Sequence, residues 1–495
     1  MSYDFVVIGA GISGITSAIT LAQKGHRVVL LEKAERTAPL LRGFSRQGVH
    51  FDTGFHYAGG LGAGGPLDTF FRYLGLSDAI TSFPFDENGF DIFQCQAENF
   101  EFRFPTGLDR IKDELVAAFP RERQAIESYL ARISSICAAM PYQNLDAPMD
   151  SDAMMQMVFG PTLKETLDLL TRDPLLKSLL SMHTLLYGVP SDQVPFAQHA
   201  VIVGNYYHSA RGIRGGGLSL AEACDARMKQ LGIEVICGSE VTGITASSDG
   251  TFSGVQLAGG ESMAGRGCIA TLHPRRLLDL VPEATFRPTY RRRLAALEET
   301  VSAFLSFAVS ATPLPSLAGA NRFLLPDVGS IHEIGRRPVG DAPIYLSGAY
   351  RRGEVIPSGF IGIFPANFSE TACFADSSFG KRPVEYRQFK EQALDRMRRQ
   401  LERLCPDLAQ SIDSIEASTP LTVRHFCDSH AGGLYGVKHR IGQHNPLPAT
   451  KLKRLYLAGQ ALVAPGVMGA ALSGLMACGA VLGHEQIREE LKACC

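Results

Sequence analysis

The 495-residue chain has no tryptophan, no CxxC pair and a net charge of only −2. So small a charge removes the electrostatic case for a nucleic-acid partner, because such proteins carry a clear basic excess. Short clusters such as Arg291-Arg292-Arg293 read as solvated helix ends. The 11 cysteines are scattered and odd in number. That pattern excludes a disulfide framework and a spaced zinc site, and it points to a reducing compartment, with a cytoplasmic location as the expectation. Cys494-Cys495 reads as a frayed end. No leader is evident: Asp4 stands directly before the apolar residues 5–8, so the chain is expected to begin in its first strand. Charge is also absent from residues 455–483, LYLAGQALVAPGVMGAALSGLMACGAVLG. A run of that length and apolarity ordinarily suggests a membrane span.

What is present fits a large globular protein. With 45% hydrophobic residues and 50 glycines, the length predicts two or more interlocked domains. The opening FVVIGAGISGITSAITLAQKGHRVVLLEKAE is a strand–turn–helix–strand unit. Residues 5–8 suit a strand buried on both faces. Gly9, Gly11 and Gly14 then have the GxGxxG spacing, which serves a tight turn, close approach to a pyrophosphate, and close helix–strand packing. Ile15, Ala18, Ile19 and Ala22 share a helix face, and Gly25 suits its C-terminal cap. A second strand, 28–31, ends at Glu32, where an acid can bind a ribose hydroxyl. An adenine dinucleotide is therefore expected, and the fingerprint alone leaves NAD and FAD both open. No second nicotinamide fingerprint appears, because GLGAGG at 60–65 has no strand before it.

Further along, RGIRGGGLSLAEACDARMKQLGIEVICGSEVTGI predicts a helix over about 218–231 and strands around Val235 and Val241. Asp249-Gly250 suits a hairpin turn. CIATLHP (268–274) reads as a short strand, and the tail begins with a strand at 455–458.

Together with FDTGFHYAGG (51–60), TPLTVRHF, AGGLYGVKH and LYLAGQALVAPGVMGAALSG, these segments resemble the FAD-dependent phytoene desaturase-like oxidoreductases. The likeness is strongest to the all-trans-retinol saturase and carotenoid isomerase branch. It spans most of the chain and is weaker in the middle. It implies an α/β architecture: a doubly wound, Rossmann-like FAD domain from 1–75, 196–290 and 416–495, interrupted by an α+β substrate domain from 76–195 and 291–415 with a helical, apolar subregion.

The resemblance also implies site residues. Gly9, Gly11 and Gly14 would approach the FAD diphosphate, Glu32 the adenosine ribose, and the backbone near Val241 the adenine. Lys33 and Arg42 fall in the cofactor-binding stretch. Gly459, Gln460, Val467, Met468 and Gly469 would lie along the ribityl chain and isoalloxazine. The apolar tail is then a loop at 459–466 followed by a helix from about Val467, buried between sheet and flavin. Its N–H groups and dipole face the flavin. A lipid span would gain nothing from its central Ala-Pro-Gly.

Two positions depart from the family. Leu40-Leu41 stands where relatives carry paired glycines, and Ala461 where they often carry an acid after the Gly-Gln. Both are expected to lower flavin affinity.

Between about 75 and 190 the chain reads as helix-rich and irregular, with apolar stretches at 154–160 and 175–188. These suit either a plain helical core or a greasy entrance with peripheral membrane contact. Strands around 304–309, 343–350 and 359–365 would form the sheet over which substrate lies. The 386–404 helix would turn Phe389, Ala393, Met397, Leu401 and Leu404 inward. The resemblance implies hydride transfer at a carbon–carbon double bond of a long hydrophobic polyene, as saturase, desaturase or isomerase. Electrons would pass to or from a quinone, oxygen, a small redox protein or reduced flavin. Candidates for the accompanying proton step are Tyr57, first, with His56, Tyr206, Tyr207 and Tyr435. Two alternatives stand beside this reading. One is a lipid- or prenyl-binding escort protein of the same fold, kept open by the two departures and opposed by Glu32 and the well-formed fingerprint. The other is a flavin amine oxidase, disfavoured by the missing tryptophan and by Gln460-Ala461.

Overall fold

A computed structural model describes residues 2–149 and 151–495. The first of its two large sheets is centred on strand Tyr3–Ile8, which runs parallel to Val28–Leu31 on one side and to Ser262–Ala270 on the other. Glu234–Ile236 extends the sheet beyond Val28–Leu31, and Leu455–Leu457 extends it beyond Cys268 to Ala270. The outer half of Ser262–Ala270 instead carries an antiparallel pair, Phe252–Leu257 and Val241–Ala246. Val28–Leu31 is buried along its whole length, which explains its unbroken apolar sequence. One face, with Val7, Leu30 and Ile269, packs against Ile15, Ile19 and Leu475 of two helices, Ile12–Gln23 and Gly466–Leu482. The opposite face, with Val6, Ile8 and Val29, packs under Val255 and Leu277. The CIATLHP strand is longer than expected, because its first half serves the antiparallel extension.

The second sheet has the strand order Ile412–Ser418, Ser302–Ser310, Gly359–Ala366, Ile344–Arg351, Asn321–Leu325, Asp91–Cys95, Phe100–Phe104. Phe304, Leu346 and Phe364 on one face pack against Ala393, Met397 and Leu401 of helix Val384–Leu404. Phe389 and Leu404 are only partly buried there. The other face looks toward the first sheet.

The region expected to be helix-rich does contain helices, among them Leu108–Ala118, Arg123–Ala139 and Pro174–Ser181. It also contributes the hairpin Asp91–Cys95/Phe100–Phe104 to the second sheet. The reason is legible afterwards: FEFRF alternates aromatic and charged residues with the period of a half-buried strand, and Asn99 takes a left-handed turn conformation (φ 46°). In the 175–188 stretch Leu176, Leu179, Leu180 and Leu185 are core residues. On helix Ser151–Phe159, by contrast, Met155 and Phe159 are 51% and 55% exposed. Among the described residues no helix is long and apolar enough to cross a membrane.

Candidate active site

A cavity of about 1800 Å³ runs between the two sheets. At one end each glycine of GAGISG does a separate job. Gly9 has φ 96°, a backbone conformation that only glycine adopts freely. A Cβ on Gly14 would lie 1.9 Å from the Gly9 carbonyl oxygen, so helix and strand meet backbone to backbone. A Cβ on Gly11 would meet nothing within 4 Å, and this residue borders the cavity. Glu32 is buried with its carboxylate accepting from Ala10 N at 2.7 Å and Ala34 N at 2.8 Å, and it too lines the cavity. Further lone pairs remain for ribose hydroxyls.

The helix Gly466–Leu482 packs on Ile12–Gln23 through Gly474, whose Cβ would lie 2.6 Å from Ser13 O, and through a Ser13 hydroxyl bond to Ala470 O at 2.8 Å. This close contact brings both helix N-termini, at Gly11–Ser13 and Gly466–Val467, to the same cavity. Two positive dipole ends suit a diphosphate and a flavin that gains negative charge on reduction. Gly459 (φ 124°) donates its N–H to Ser473 Oγ at 2.9 Å, and Gln460 O accepts from His439 Nε2 at 3.0 Å. These residues fit an elongated, anionic dinucleotide.

The two departures have structural counterparts. Leu40 and Leu41 line the cavity, and the close backbone approach comes from Gly54 and Gly217 opposite. Their Cβ atoms would lie 2.7 Å from Leu40 O and 2.4 Å from Leu41 O. Ala461 packs with Leu294, Leu297 and Val437, where an acid would be buried against apolar side chains.

The other end of the cavity is apolar. Leu305 pairs with Ile363 and Phe307 with Ile361 on adjacent strands, so four cavity-lining side chains form one flat patch. His56 and Tyr435 reach the cavity beside it. The segment before His56 is fixed by Asp52, whose Oδ1 accepts Gly217 N at 2.8 Å and so caps the helix Gly216–Gln230. Beyond it, a Cβ on Gly59 would meet Tyr206 N at 2.5 Å. The AGG of FHYAGG thus lets this segment press on helix Phe196–His208. Burial pulls the His56 imidazole below its ordinary value, with Asp52 opposing more weakly.

Of the five candidates for the proton step, then, the structure brings His56 and Tyr435 to the cavity. The Tyr435 hydroxyl is engaged, donating to Leu185 O at 3.0 Å. Tyr57 lies behind the wall, stacked on Phe85 with its ring centroid 4.6 Å from that of Tyr206, and donates to Asp91 Oδ2 at 2.8 Å. Burial, then Asp91, push its hydroxyl well above the ordinary tyrosine value. Tyr207 stacks on Phe104, also behind the wall.

Among the cofactor candidates, Lys33 lines the cavity paired with Asp428 at 2.9 Å. Arg42 instead pairs with Asp225 and donates to Thr37 O, holding the 37–42 loop from outside. The cavity is flanked by Glu240 and Ala258 on either side of the Val241–Leu257 pair. Val467 lines it, while Met468 and Gly469 stand one step back, and a Gly469 Cβ would lie 2.2 Å from Ala464 O. Thr271, Ser473 and Asp52 emerge only from the structure. The acid of FDTG, ahead of a GGG helix start, is the one sequence signal that could have singled out Asp52.

A doubly wound sheet with a GxGxxG turn, a terminal acid and a second helix end on one elongated cavity defines a dinucleotide-binding flavoprotein. A sequence model described as flavin containing amine oxidoreductase matches residues 12–313, and the chain belongs to that family. Its curated relatives are of the retinol saturase and carotenoid isomerase branch. All-trans-retinol 13,14-reductase of Rattus norvegicus is 24% identical over 99% of this chain and 87% of its own length. Prolycopene isomerase 2, chloroplastic, of an Oncidium hybrid cultivar is 25% identical over 96% and 83%. Among solved structures, an oxidoreductase from Methanosarcina mazei has a TM-score of 0.67 at 17% identity, covering 95% of this chain and 98% of that one. The cofactor is FAD, and the protein is an oxidoreductase or isomerase.

Proposed function

We propose that the protein acts on carbon–carbon double bonds of a long hydrophobic polyene of the retinoid or carotenoid type, by saturation, desaturation or isomerisation. The observation that carries this is the continuity of one cavity from Gly11 and Glu32, past Gly459 and Gln460, to the uncharged patch of Leu305, Phe307, Ile361 and Ile363. An extended apolar chain fits such a floor. A cationic amine would find no carboxylate on it.

Bound FAD would supply the hydride chemistry at one carbon. The residues of this chain hold the polyene flat on the sheet and exclude water around it. His56, uncharged at neutral pH through its burial, exchanges the proton at the neighbouring carbon. Tyr435 presents its ring to the chain and keeps its hydroxyl turned to Leu185. The dinucleotide half is the domain of 1–75, 196–290 and 416–495, and the rest carries the substrate. Exposed Met155, Phe159 and Leu169 supply an apolar surface for peripheral contact with a membrane. Protein that stays wholly in the soluble fraction during flotation with liposomes refutes that contact.

The test of the function is incubation of FAD-loaded protein, oxidised and reduced, with retinoids and carotenoids, followed by chromatography of the products. A changed double-bond count or geometry supports the reading. Unchanged polyenes in both redox states overturn it.

A further inference from the structure

The floor of the cavity continues sideways into a polar cluster. Across the second sheet one rung joins Leu305, Ile363, Tyr345 and Phe323, and the next joins Phe307, Ile361 and Ser347. Farther along the sheet, Asn321 pairs with Asp91. Alternate residues share a face, so Tyr345 and Asp91 look the same way as the patch on which the substrate lies.

Asp91 is fully buried. Its Oδ1 accepts from Asn321 Nδ2 at 2.9 Å, its Oδ2 accepts from the Tyr57 hydroxyl at 2.8 Å, and the equally buried His183 holds Nε2 3.0 Å from that same oxygen. Around this carboxylate Tyr345 Oη, Tyr207 Oη, His183 Nδ1 and Asn321 Oδ1 are buried without a hydrogen-bond partner among the described residues. Unpaired buried polar atoms are costly, and four of them about one carboxylate ask for a functional reason. The His56 and Tyr345 ring centroids are 5.7 Å apart, which links the cluster to the cavity wall.

We propose that Asp91 is the positioning residue of a buried proton relay, fixing His183 and Tyr57, in which the Tyr345 hydroxyl passes protons between the Asp91–His183 pair and His56. The proposal rests on the polyene reading. In the saturating direction the N–H bond of neutral His56 breaks as a C–H bond forms with the electron pair of the alkene, and in the same step Tyr345 Oη protonates the other ring nitrogen, so the imidazole stays uncharged. Tyr345 Oη takes a proton in turn from the Asp91–His183 pair. In desaturation every move reverses, and no oxidant or reductant beyond the flavin is required. Burial and Asp91 together raise the Tyr57, Tyr206 and Tyr345 hydroxyls above the ordinary tyrosine value, so they stay protonated and able to relay.

Tyr345→Phe is the cleanest probe, because the hydroxyl it removes has no protein partner. The expected result is a kcat at least about tenfold lower at unchanged polyene KM, with an altered solvent deuterium isotope effect and no loss of thermal stability. A second readout needs neither flavin nor substrate: tyrosinate absorbance of the flavin-free protein against pH. Asp91→Asn should let a group of tyrosines ionise at lower pH while the fold is retained. Wild-type turnover and pH profile in Tyr345→Phe overturn the relay, as does an unmoved tyrosine titration in Asp91→Asn. If the wild-type protein converts no polyene, the functional reading has failed, and the titration still decides whether Asp91 governs the tyrosines.

Discussion

Gly11 and Gly14 are three residues apart, yet the structure assigns them opposite sensitivities. An alanine methyl at position 14 would sit 1.9 Å from Gly9 O and 3.1 Å from Gly9 C. An ordinary C···O contact is about 3.3 Å, so the helix would have to move by roughly 1.4 Å. Both sides are backbone and no rotamer change relieves the clash. Overpacking of this kind costs about 1–3 kcal/mol, and Gly14→Ala should fall at or beyond the upper end. At Gly11, φ is −74° and a methyl meets no protein atom. Gly11→Ala should therefore cost ~1 kcal/mol or less as a weaker N-cap. Its methyl would instead enter the space of the diphosphate and weaken FAD binding at least about tenfold, ~1.4 kcal/mol. Urea unfolding of flavin-free protein and titration with FAD separate the two effects. A Gly14→Ala protein as stable as wild type, or a Gly11→Ala protein with undiminished FAD affinity, would refute this account of the cradle.

Other perturbations follow from the same geometry. His199, fully buried between the Tyr129 and Tyr187 hydroxyls at 2.8 and 2.9 Å, has its pKa lowered to about 3 by burial and secondarily by His183. The unfolded chain binds this proton below about pH 6.5 and the folded chain does not, so stability should fall as pH drops from there, by up to ~1.4 kcal/mol per unit. His199→Gln should flatten that part of a urea-midpoint profile. Ile363→Asn, on the cavity floor, should raise the polyene KM without changing FAD affinity; a spectral FAD titration beside initial rates distinguishes the two. Tyr57→Phe withdraws one hydrogen-bond donor from buried Asp91. It should lower stability by about 1–3 kcal/mol and slow turnover while flavin stays bound, and unchanged turnover removes Tyr57 from the mechanism.

What the sequence made legible is what local spacing encodes. The GxGxxG turn, the acid closing Val28–Leu31 and the apolar helix Gly466–Leu482 each carry their own pattern within a few residues, and each stands where that pattern placed it. The strands around residues 304, 345 and 361 were recognisable for the same reason. The hairpin of Asp91–Cys95 was passed over because its neighbourhood is dominated by helices, and its short alternating strands carry less weight than helical runs. The polar cluster was invisible for a different reason. Tyr57, His183 and Asn321 meet Asp91 from 34, 92 and 230 residues away, and no window of sequence contains them together. Tyr57 illustrates the limit. Its place in FHYAGG singled it out, but only the structure shows that its hydroxyl lies behind the cavity wall, paired with Asp91.

The most direct measurement of the central claim is anaerobic mixing of the FAD-loaded protein, in oxidised and photoreduced portions, with polyenes and with a panel of amines while flavin and polyene absorbance are recorded together. The account predicts that a retinoid or carotenoid is altered, either in step with flavin reduction or reoxidation or, for isomerisation, in its spectrum alone, and that amines leave the flavin unbleached. Amines that bleach the flavin while every polyene remains unchanged would contradict it.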